Sequence, residues 1–297
     1  MNYTVHKWLL LCSTLAHTMA PAISIVYNFR IGQATKQPIS GESRKKHSVV
    51  TLVFNQYQKK YNEISQNFAG GFASFIYTFD AYYFRTDVSA AHIHSANAQH
   101  KTTLSATQTD DILFTLGRNF KIKDKAILTA SGLFGVPTHK INSLQHVDFG
   151  YGQVGTGIQL DGSYALNQKS SFLYGARSIH FFARSAKDTL CQNYRFTIGN
   201  VGDLLAAYKY NRTKHGLETG YTMRSQFDAA ICPTLADVVK KTNYLRSSFY
   251  FIYKYKFAIN NTENRLLFNI SYGFDHKPKF YGNKYIITLW GSWNISF

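Results

Sequence analysis

The stretch YIITLWGSWNISF at residues 285–297 decides the fold. Every second position is apolar or small: Tyr285, Ile287, Leu289, Gly291, Trp293, Ile295 and Phe297. The positions between them are mostly polar: Thr288, Ser292, Asn294 and Ser296, with Ile286 and Trp290 as exceptions. A period of two residues is typical of a β-strand with one apolar face. The sequence therefore predicts a strand that ends at Phe297.

Two further alternating runs precede this strand. Residues 249–259 and 265–275 alternate in the same way and are joined by a polar turn at 260–264. Each run reaches about ten residues, the length that crosses a bilayer at a tilt, whereas sandwich strands usually span five or six. The length of these runs predicts membrane-spanning strands, with Phe251, Ile270 and Leu289 against lipid.

Short and long connections alternate along the chain. The short polar turns fall at 121–125, 167–171, 212–215 and 260–264, and the longer connections near 136–151, 184–193, 227–243 and 276–284. Outer-membrane barrels have this asymmetry, with short periplasmic turns and longer outer loops. We therefore predict an all-β fold: a membrane-spanning, antiparallel, up-and-down β-barrel of about 12 strands, formed by residues 23–297.

The identity of the first strand stays open at this point. Residues 23–31 and 48–57 alternate, but the pattern changes parity near Asp80. A tight turn near Asp80 would leave 23–31 outside the wall, whereas a bulge in one long strand would make 23–31 the first strand. The bulge is favoured because 23–31 alternates regularly.

Composition and charge also favour a membrane barrel. Of 297 residues, 23 are Phe and 21 are Tyr, and the net charge is +17. Aromatic residues at this density suit strands and the aromatic girdles of membrane barrels. Lys and Arg are scattered and no nucleic-acid-binding motif is present, so we expect no nucleic-acid partner. A basic barrel instead indicates contact with anionic lipid of the outer membrane, or a lumen that favours anions.

The N-terminus has the pattern of a secretory signal peptide. Lys7 precedes an apolar stretch at 8–19, and small residues at 20–22 allow cleavage after Ala20 or after Ala22. We predict that residues 1–22 are removed on export to the outer membrane. The cysteines that remain, Cys191 and Cys232, lie in two connections predicted on the same outer side, and a disulfide between them is predicted.

The C-terminal pattern also predicts a partner. Trp293, Ile295 and the terminal Phe297 resemble the C-terminal signal that the barrel-assembly machinery reads on outer-membrane proteins. This signal is specific to the class of protein and carries no information on the solute.

Residues 110–184 resemble a family of transporter-like outer-membrane barrels often labelled as a component of phenol degradation. The resemblance rests on Gly135-Val136-Pro137-Thr138-His139, on Gly150-Tyr151-Gly152-Gln153-Val154-Gly155-Thr156-Gly157, and on Asp161-Gly162-Ser163-Tyr164. His139 stands where the family usually has Gly. The resemblance implies passage of small molecules, hydrophobic ones included. The glycines are read as structural, because a strand and not a helix follows them, unlike in a phosphate-binding loop.

Charged residues in the alternating strands are expected to face the lumen, because each would cost a few kcal/mol in lipid. They are Arg195, Asp203, Lys209, Glu218, Arg224, Lys254, Lys256, Arg265 and Asp275. Most are expected to form a salt-bridged network that supports the wall. Lys254 and Lys256 have no evident acidic neighbour and are predicted to attract anions.

Three functional classes remain open. A channel or transporter for small solutes, hydrophobic or anionic, is predicted first, because the chain is mostly barrel. A phospholipase-like outer-membrane hydrolase is the alternative that rests on residues 91–97, which carry His92, His94, Ser95 and Asn97; the two histidines share a strand face and can also chelate a metal. A structural or adhesion role rests on the loops at 184–193 and 227–243. We predict no enzyme activity, no cofactor and no metal site.

Overall fold

A computed structural model gives the structure of the protein. It describes residues 46–60, 64–98, 101–109, 111–122, 124–138, 153–182, 184–186, 194–197, 199–231, 240–259, 262–276 and 283–296. The predicted signal peptide 1–22, the run 23–31, Cys191, Cys232 and Phe297 lie outside the described residues, and the predictions made for them stay predictions.

The alternating runs form β-strand segments throughout the described part of the chain. They are β1 (Lys46–Lys60), β2 (Ile64–Phe79), β3 (Tyr82–Asn97), β4 (Thr102–Thr109), β5 (Ile112–Ile122), β6 (Ala126–Val136), β7 (Gly155–Ala165), β8 (Ser170–Phe181), β9 (Arg184–Ala186), β10 (Tyr194–Thr197), β11 (Gly199–Asn211), β12 (His215–Ile231), β13 (Lys240–Ile259), β14 (Thr262–Asp275) and β15 (Asn283–Ser296). No helix among the described residues is long and apolar enough to cross a membrane.

The strands form one antiparallel sheet that closes on itself. Strands at successive positions around the wall pair antiparallel, and the first described strand, β1, pairs with the last, β15, in a register from Ser48↔Ser296 to Lys60↔Asn283. Three positions in the wall are each shared by two consecutive segments: β4 with β5, β8 with β9, and β10 with β11. The ring therefore has twelve strand positions, and the predicted up-and-down barrel is confirmed.

The turns at one end of the barrel are short. Residues 80–81, 123–125, 166–169, 212–214 and 260–261 separate consecutive strands at that end, whereas most connections at the other end are longer. The turn at 80–81 corrects the prediction of a bulge. β2 and β3 form a hairpin with Phe79 opposite Tyr82, and Asp80 takes a left-handed backbone conformation with φ 49°.

The C-terminal strand closes the ring. β15 pairs with β14 on one side and with β1 on the other, so Trp293 lies opposite both Leu266 and Thr51. The indole Nε1 of Trp293 donates a hydrogen bond to Oδ1 of Asn264 at 2.9 Å. Closure pairs both edges of the sheet, which removes the free strand edges that a membrane interior does not tolerate.

Candidate pore lining

Side chains along each strand alternate between an exposed apolar face and a buried polar face. On β11, Leu204 and Tyr208 are exposed, while Asp203 and Lys209 are buried. Exposed apolar side chains on other strands include Phe84, Leu116, Ile158, Phe172, Leu217, Phe251, Ile270 and Leu289. Because the wall is closed, the apolar face is the outer one and the polar face surrounds the lumen. This is the arrangement of a barrel that lies in a membrane.

Most of the charged residues singled out from the sequence lie on the inward face. Asp203, Lys209, Glu218, Arg224 and Asp275 are buried there, and Lys254, Lys256 and Arg265 are half-buried there, near the short-turn end. Arg195 pairs with Ile231 across β10 and β12, and its side chain lies outside the described part of the structure.

An ion-pair network joins three neighbouring strands on the inward face. Asp203 on β11 accepts hydrogen bonds from Nε and Nη2 of Arg177 on β8, at 2.9 and 2.5 Å. It also accepts one from Nε of Arg224 on β12, at 2.6 Å. The three side chains keep only 2–9% of their surface exposed. Since a buried charge is tolerated only when it is paired, Asp203 holds both guanidinium groups in place.

A second ion pair extends this network onto two more strands. Arg246 on β13 lies directly opposite Arg224, and its Nε donates to Oδ1 of Asp275 on β14 at 2.9 Å. Asp203 and Asp275 are 5% and 0% exposed, whereas Arg224 and Arg246 keep 9% and 13%. The carboxylates and the guanidinium groups of this network are therefore both largely buried in the inward face of the wall.

The expectation that Lys254 lacks an acidic neighbour is wrong. Its Nζ forms an ion pair with Glu218 on β12, and Glu218 also accepts a hydrogen bond from the Tyr250 hydroxyl at 3.1 Å. The residue directly opposite Glu218 is Ile252, so Lys254 reaches its partner along the diagonal between the strands. A long flexible side chain makes such diagonal contacts, which strand parity alone does not reveal.

Lys256 differs from Lys254. It forms no ion pair with any residue that the structure describes, and it lies directly opposite Arg265. Arg265 in turn pairs with Glu263 of its own strand at 2.6 Å. Positive charge therefore exceeds negative charge at the short-turn end of these strands.

Sequence reasoning missed several of the inward charges, among them Arg85, Asp87, Asp161, Arg177 and Arg246. Arg177 is buried on β8 with the same parity as Ile179 and Phe181, and Arg85 pairs with Asp87 on β3 at 2.8 Å. Arg246 was missed because it precedes the run that is easy to recognise from Phe249 onward. Strand parity was the available signal, since each of these residues faces away from the exposed apolar positions of its strand.

The histidine segment is divided between the two faces. His92 and His94 are exposed on the outer face, whereas Ser95 is buried on the inner face. His92 instead contacts two hydroxyl groups of β4: its Nε2 lies 3.1 Å from Oγ of Ser105, and its Nδ1 lies 3.1 Å from Oγ1 of Thr107. Within the described ranges, no group of three metal-ligating side chains is present.

The glycines of the resembling segment let strands pack closely. A Cβ on Gly157 would lie 2.3 Å from the Ser178 carbonyl oxygen, and one on Gly155 would lie 2.9 Å from the Phe181 ring. His139 and residues 150–152 lie outside the described residues. Gly155 and Gly157 lie within the strand β7 itself, so the segment continues as a strand and not as a helix, as the structural interpretation expects.

Comparisons with solved structures agree with this fold. The chain is similar to an outer membrane channel from Pseudomonas putida F1, with 11% identity and a TM-score of 0.69 over 88% of this chain and 99% of that chain. It is also similar to the translocator domain of the autotransporter NalP from Neisseria meningitidis, with 12% identity and a TM-score of 0.50 over 87% and 90%. No protein-family model and no curated protein matches the sequence. The fold is that of outer-membrane β-barrels.

Proposed function

We propose that the chain is an outer-membrane channel that passes small solutes and favours anions. The observation that carries the proposal is the excess of positive charge on the inward face of β8 and β11 to β14. The basic side chains described there are Arg177, Lys209, Arg224, Arg246, Lys254, Lys256 and Arg265, and the acidic ones are Asp203, Glu218, Glu263 and Asp275. Walls of low dielectric focus such a charge excess on solutes in the lumen. The similar structure from P. putida is that of an outer membrane channel.

Conductance of single molecules in a planar bilayer tests the channel itself. We expect discrete current steps when the purified, refolded chain is added, and a reversal potential in a KCl gradient that corresponds to preferential passage of chloride. A folded barrel that inserts into the bilayer and yields no steps would refute the channel.

Lys256 is the residue that tests the charge preference most directly. Lys256→Glu reverses a lumen charge that has no acidic partner among the described residues, so the reversal potential should move toward cation selectivity. Lys169→Glu is the matched control, because Lys169 is exposed in the 166–169 turn at the same end of the barrel. Equal shifts in the two variants would assign the preference to overall charge and not to the lumen.

The contact between His92 and Ser105 favours a second candidate, an esterase on the outer face. If Nε2 of His92 accepts the Ser105 proton while Nδ1–H donates to Thr107, the serine oxygen can attack an ester carbonyl. The C–O bond of the ester breaks, the alcohol leaves with the proton from His92, and water then hydrolyses the acyl-enzyme to the acid and free Ser105. Ser105→Ala should abolish hydrolysis of a p-nitrophenyl ester, whereas Ser95→Ala on the inner face should not. Absence of hydrolysis by the unmodified protein, at any rate above buffer, would remove this candidate.

Export and assembly belong to the same proposal. Removal of residues 1–22 would release the chain into the oxidising periplasm, and Trp293, Ile295 and Phe297 would present β15 to the barrel-assembly machinery. Deletion of Phe297 should lower the amount of barrel in the outer membrane without affecting export. The pairing of Arg195 with Ile231 brings β10 beside the residue that precedes Cys232, which supports the proposed Cys191–Cys232 bond.

A further inference from the structure

One arginine lies on the outer, apolar face of the barrel. Arg118 on β5 is exposed, and it shares its strand parity with Leu116 and Phe120, which are exposed on either side of it. A charged side chain on this face costs several kcal/mol at the middle of a bilayer, and the cost falls to about 0–1 kcal/mol near the interfaces. The depth of Arg118 in the membrane therefore decides whether its charge can be accommodated.

The strand register places Arg118 near one membrane interface. It lies directly opposite Tyr82, the first residue of β3 after the short turn at 80–81. The ring of Tyr82 stacks with that of Phe79 across the same turn, with 5.7 Å between the ring centroids. In outer-membrane barrels, aromatic rings mark the interfaces and the short turns lie on the periplasmic side. Arg118 therefore lies at the level of the phospholipid head groups of the periplasmic leaflet.

Two aromatic rings hold the guanidinium group of Arg118. Its Cζ lies 5.1 Å from the ring centroid of Tyr82 on the neighbouring strand and 5.1 Å from that of Phe120 on its own strand. An aromatic ring stacks on the flat face of a guanidinium group, whereas the N–H donors point outward in its plane. Among the residues that the structure describes, the Arg118 side chain has no ion-pair or hydrogen-bond partner. Its donors are thus oriented by the rings and available to a ligand.

The surrounding charge favours an anionic ligand. In the sequence, the turn at 80–81 and the segment 118–125 together carry four basic and two acidic residues: Arg118, Lys121, Lys123 and Lys125 against Asp80 and Asp124. Asp124 pairs with Lys121 at 2.9 Å and so does not compensate Arg118. The side chain of Lys125 is exposed. A basic site at head-group level attracts the phosphate of a lipid.

We propose that Arg118, Tyr82 and Phe120 bind the phosphodiester group of a phospholipid in the periplasmic leaflet. The planar guanidinium group can donate two parallel hydrogen bonds to two phosphate oxygens, and the rings hold it in position for this contact. The site lies on the face opposite to the lumen. It adds a lipid ligand to the proposed function and does not depend on conductance.

The apolar surface beside Arg118 favours a lipid over free phosphate. Phe84 and Leu116 lie directly opposite each other, one position further toward the middle of the membrane, and they are 37% and 57% exposed. The acyl chains of a lipid held at Arg118 can therefore contact both side chains. A free phosphate ion would gain only the exposed charge contact, which contributes little in water.

Binding can be measured on the full chain refolded in micelles of a non-ionic detergent. The probe is dimyristoyl phosphatidylglycerol. The references are dimyristoylglycerol, which has the same acyl chains and no phosphate, and inorganic phosphate. A ligand that binds the folded barrel alone raises its thermal midpoint, and the dependence on the amount of ligand gives the half-saturating value. We expect phosphatidylglycerol to raise the midpoint, and neither reference to do so in equal amount.

Arg118→Gln should raise the half-saturating amount of phosphatidylglycerol about tenfold, because a charge-assisted hydrogen-bond donor is lost. Arg212→Gln is the matched control. Arg212 is exposed in the 212–214 turn at the same end of the barrel, and it stacks on no aromatic ring within the described ranges. The control removes the same charge and should leave the half-saturating amount unchanged.

Two further variants separate charge from geometry. Arg118→Lys keeps the positive charge and loses the planar fork, so it should also weaken binding, and it replaces Arg118→Gln if that variant does not fold. Tyr82→Leu/Phe120→Leu keeps the arginine and removes both rings. It should weaken binding by a smaller factor than Arg118→Gln, because the donors remain but are no longer held in place.

Three results would overturn the lipid site. Equal half-saturating amounts in the unmodified protein and Arg118→Gln would show that Arg118 does not bind the lipid. Equal losses in Arg118→Gln and Arg212→Gln would assign the attraction to the overall charge of this end. Equal stabilisation by inorganic phosphate or by dimyristoylglycerol would assign the effect to a free anion or to acyl chains alone.

Discussion

In two parts of the barrel wall, different kinds of side-chain interaction hold neighbouring strands together. In the β8–β14 wall (β8, β11, β12, β13 and β14), ion pairs join side chains on different strands: Arg177 and Arg224 with Asp203, Arg246 with Asp275, and Lys254 with Glu218. In the β3–β7 wall (β3, β5, β6 and β7), the inward pair Arg85–Asp87 joins residues of the same strand.

Neutral contacts join the strands of the β3–β7 wall instead. The Tyr83 side chain on β3 passes over Gly117 of β5, and its hydroxyl lies 2.7 Å from Oγ of Ser131 on β6. Oγ1 of Thr129 on β6 donates to Oδ1 of Asn119 on β5 at 2.7 Å. Neutral contacts also occur in the other wall, where Oγ of Ser170 on β8 lies 2.8 Å from the Tyr208 hydroxyl on β11. The Tyr250 side chain there packs over Gly220, and its hydroxyl donates to Glu218.

The difference separates two roles of inward side chains. Cross-strand ion pairs hold the β8–β14 wall together. The β3–β7 wall is held by close packing and by neutral hydrogen bonds, and its inward charges include Arg85, Asp87 and Asp161. A test of the comparison must therefore remove one stabilising side-chain interaction from each wall and compare the resulting losses in the free energy of unfolding.

The largest loss is expected from Asp203→Asn in the β8–β14 wall. It leaves Arg177 and Arg224 buried without their shared counter-charge, and the free energy of unfolding should fall by about 3–5 kcal/mol. Asp87→Asn in the β3–β7 wall affects one arginine of the same strand, so its loss should be smaller. Urea unfolding of both variants in phospholipid vesicles measures the difference. Equal losses in the free energy of unfolding would show that ion pairs stabilise the two walls to the same extent.

The outer face should not distinguish the two walls. Ile158 on β7 and Ile270 on β14 are 65% and 53% exposed on that face. Arginine at either position would lie in lipid, and each change should cost about 2–4 kcal/mol near the midplane. The same unfolding measurement compares the two variants. A cost confined to one position would mean that the other does not face lipid. The two walls could then not be compared as parts of the same membrane-embedded barrel.

Much of the fold was predictable because strand alternation and connection length are local signals. The run from Tyr285 to Ser296 became β15, and four predicted turns fall between consecutive strands. The turn at Asp80 was misjudged because a parity change has the same appearance whether it marks a bulge or a two-residue turn. Regular alternation at 23–31 then favoured the bulge, although alternation alone does not place a segment in the wall.

The sequence predicted which side chains face inward, but it did not predict which of them pair with one another. Parity correctly separated Lys254 and Lys256 from the exposed residues of β13. Which acid each lysine meets depends on the register between strands, and the sequence of one strand carries no information on register. Lys254 on β13 forms its ion pair with Glu218 on β12, and this pairing could not be read from the sequence of β13 alone. The same limit hid the position of Arg224 directly opposite Arg246.

The smallest predicted effect tests the neutral contact between Tyr83 and Ser131 in the β3–β7 wall. A Cβ on Gly117 would lie 2.3 Å from Cε1 of Tyr83 and 2.7 Å from Oγ of Ser131, so Gly117→Ala forces the Tyr83 side chain away from its hydroxyl partner. We expect the free energy of unfolding to fall by about 1–3 kcal/mol. Gly132→Ala on β6 is the matched control, because nothing lies within 4 Å of a Cβ there. It should be neutral or slightly stabilising, since alanine has less conformational entropy than glycine to lose on folding.

A double-mutant cycle then assigns the effect to the contact itself. In the background of Tyr83→Ala/Ser131→Ala both groups that meet the new Cβ are absent, so Gly117→Ala should cost no more than Gly132→Ala does. If Gly117→Ala remains costly in that background, the glycine is required by the backbone and not by the Tyr83–Ser131 contact. The contact between Tyr83 and Ser131 would then not be what stabilises the β3–β7 wall.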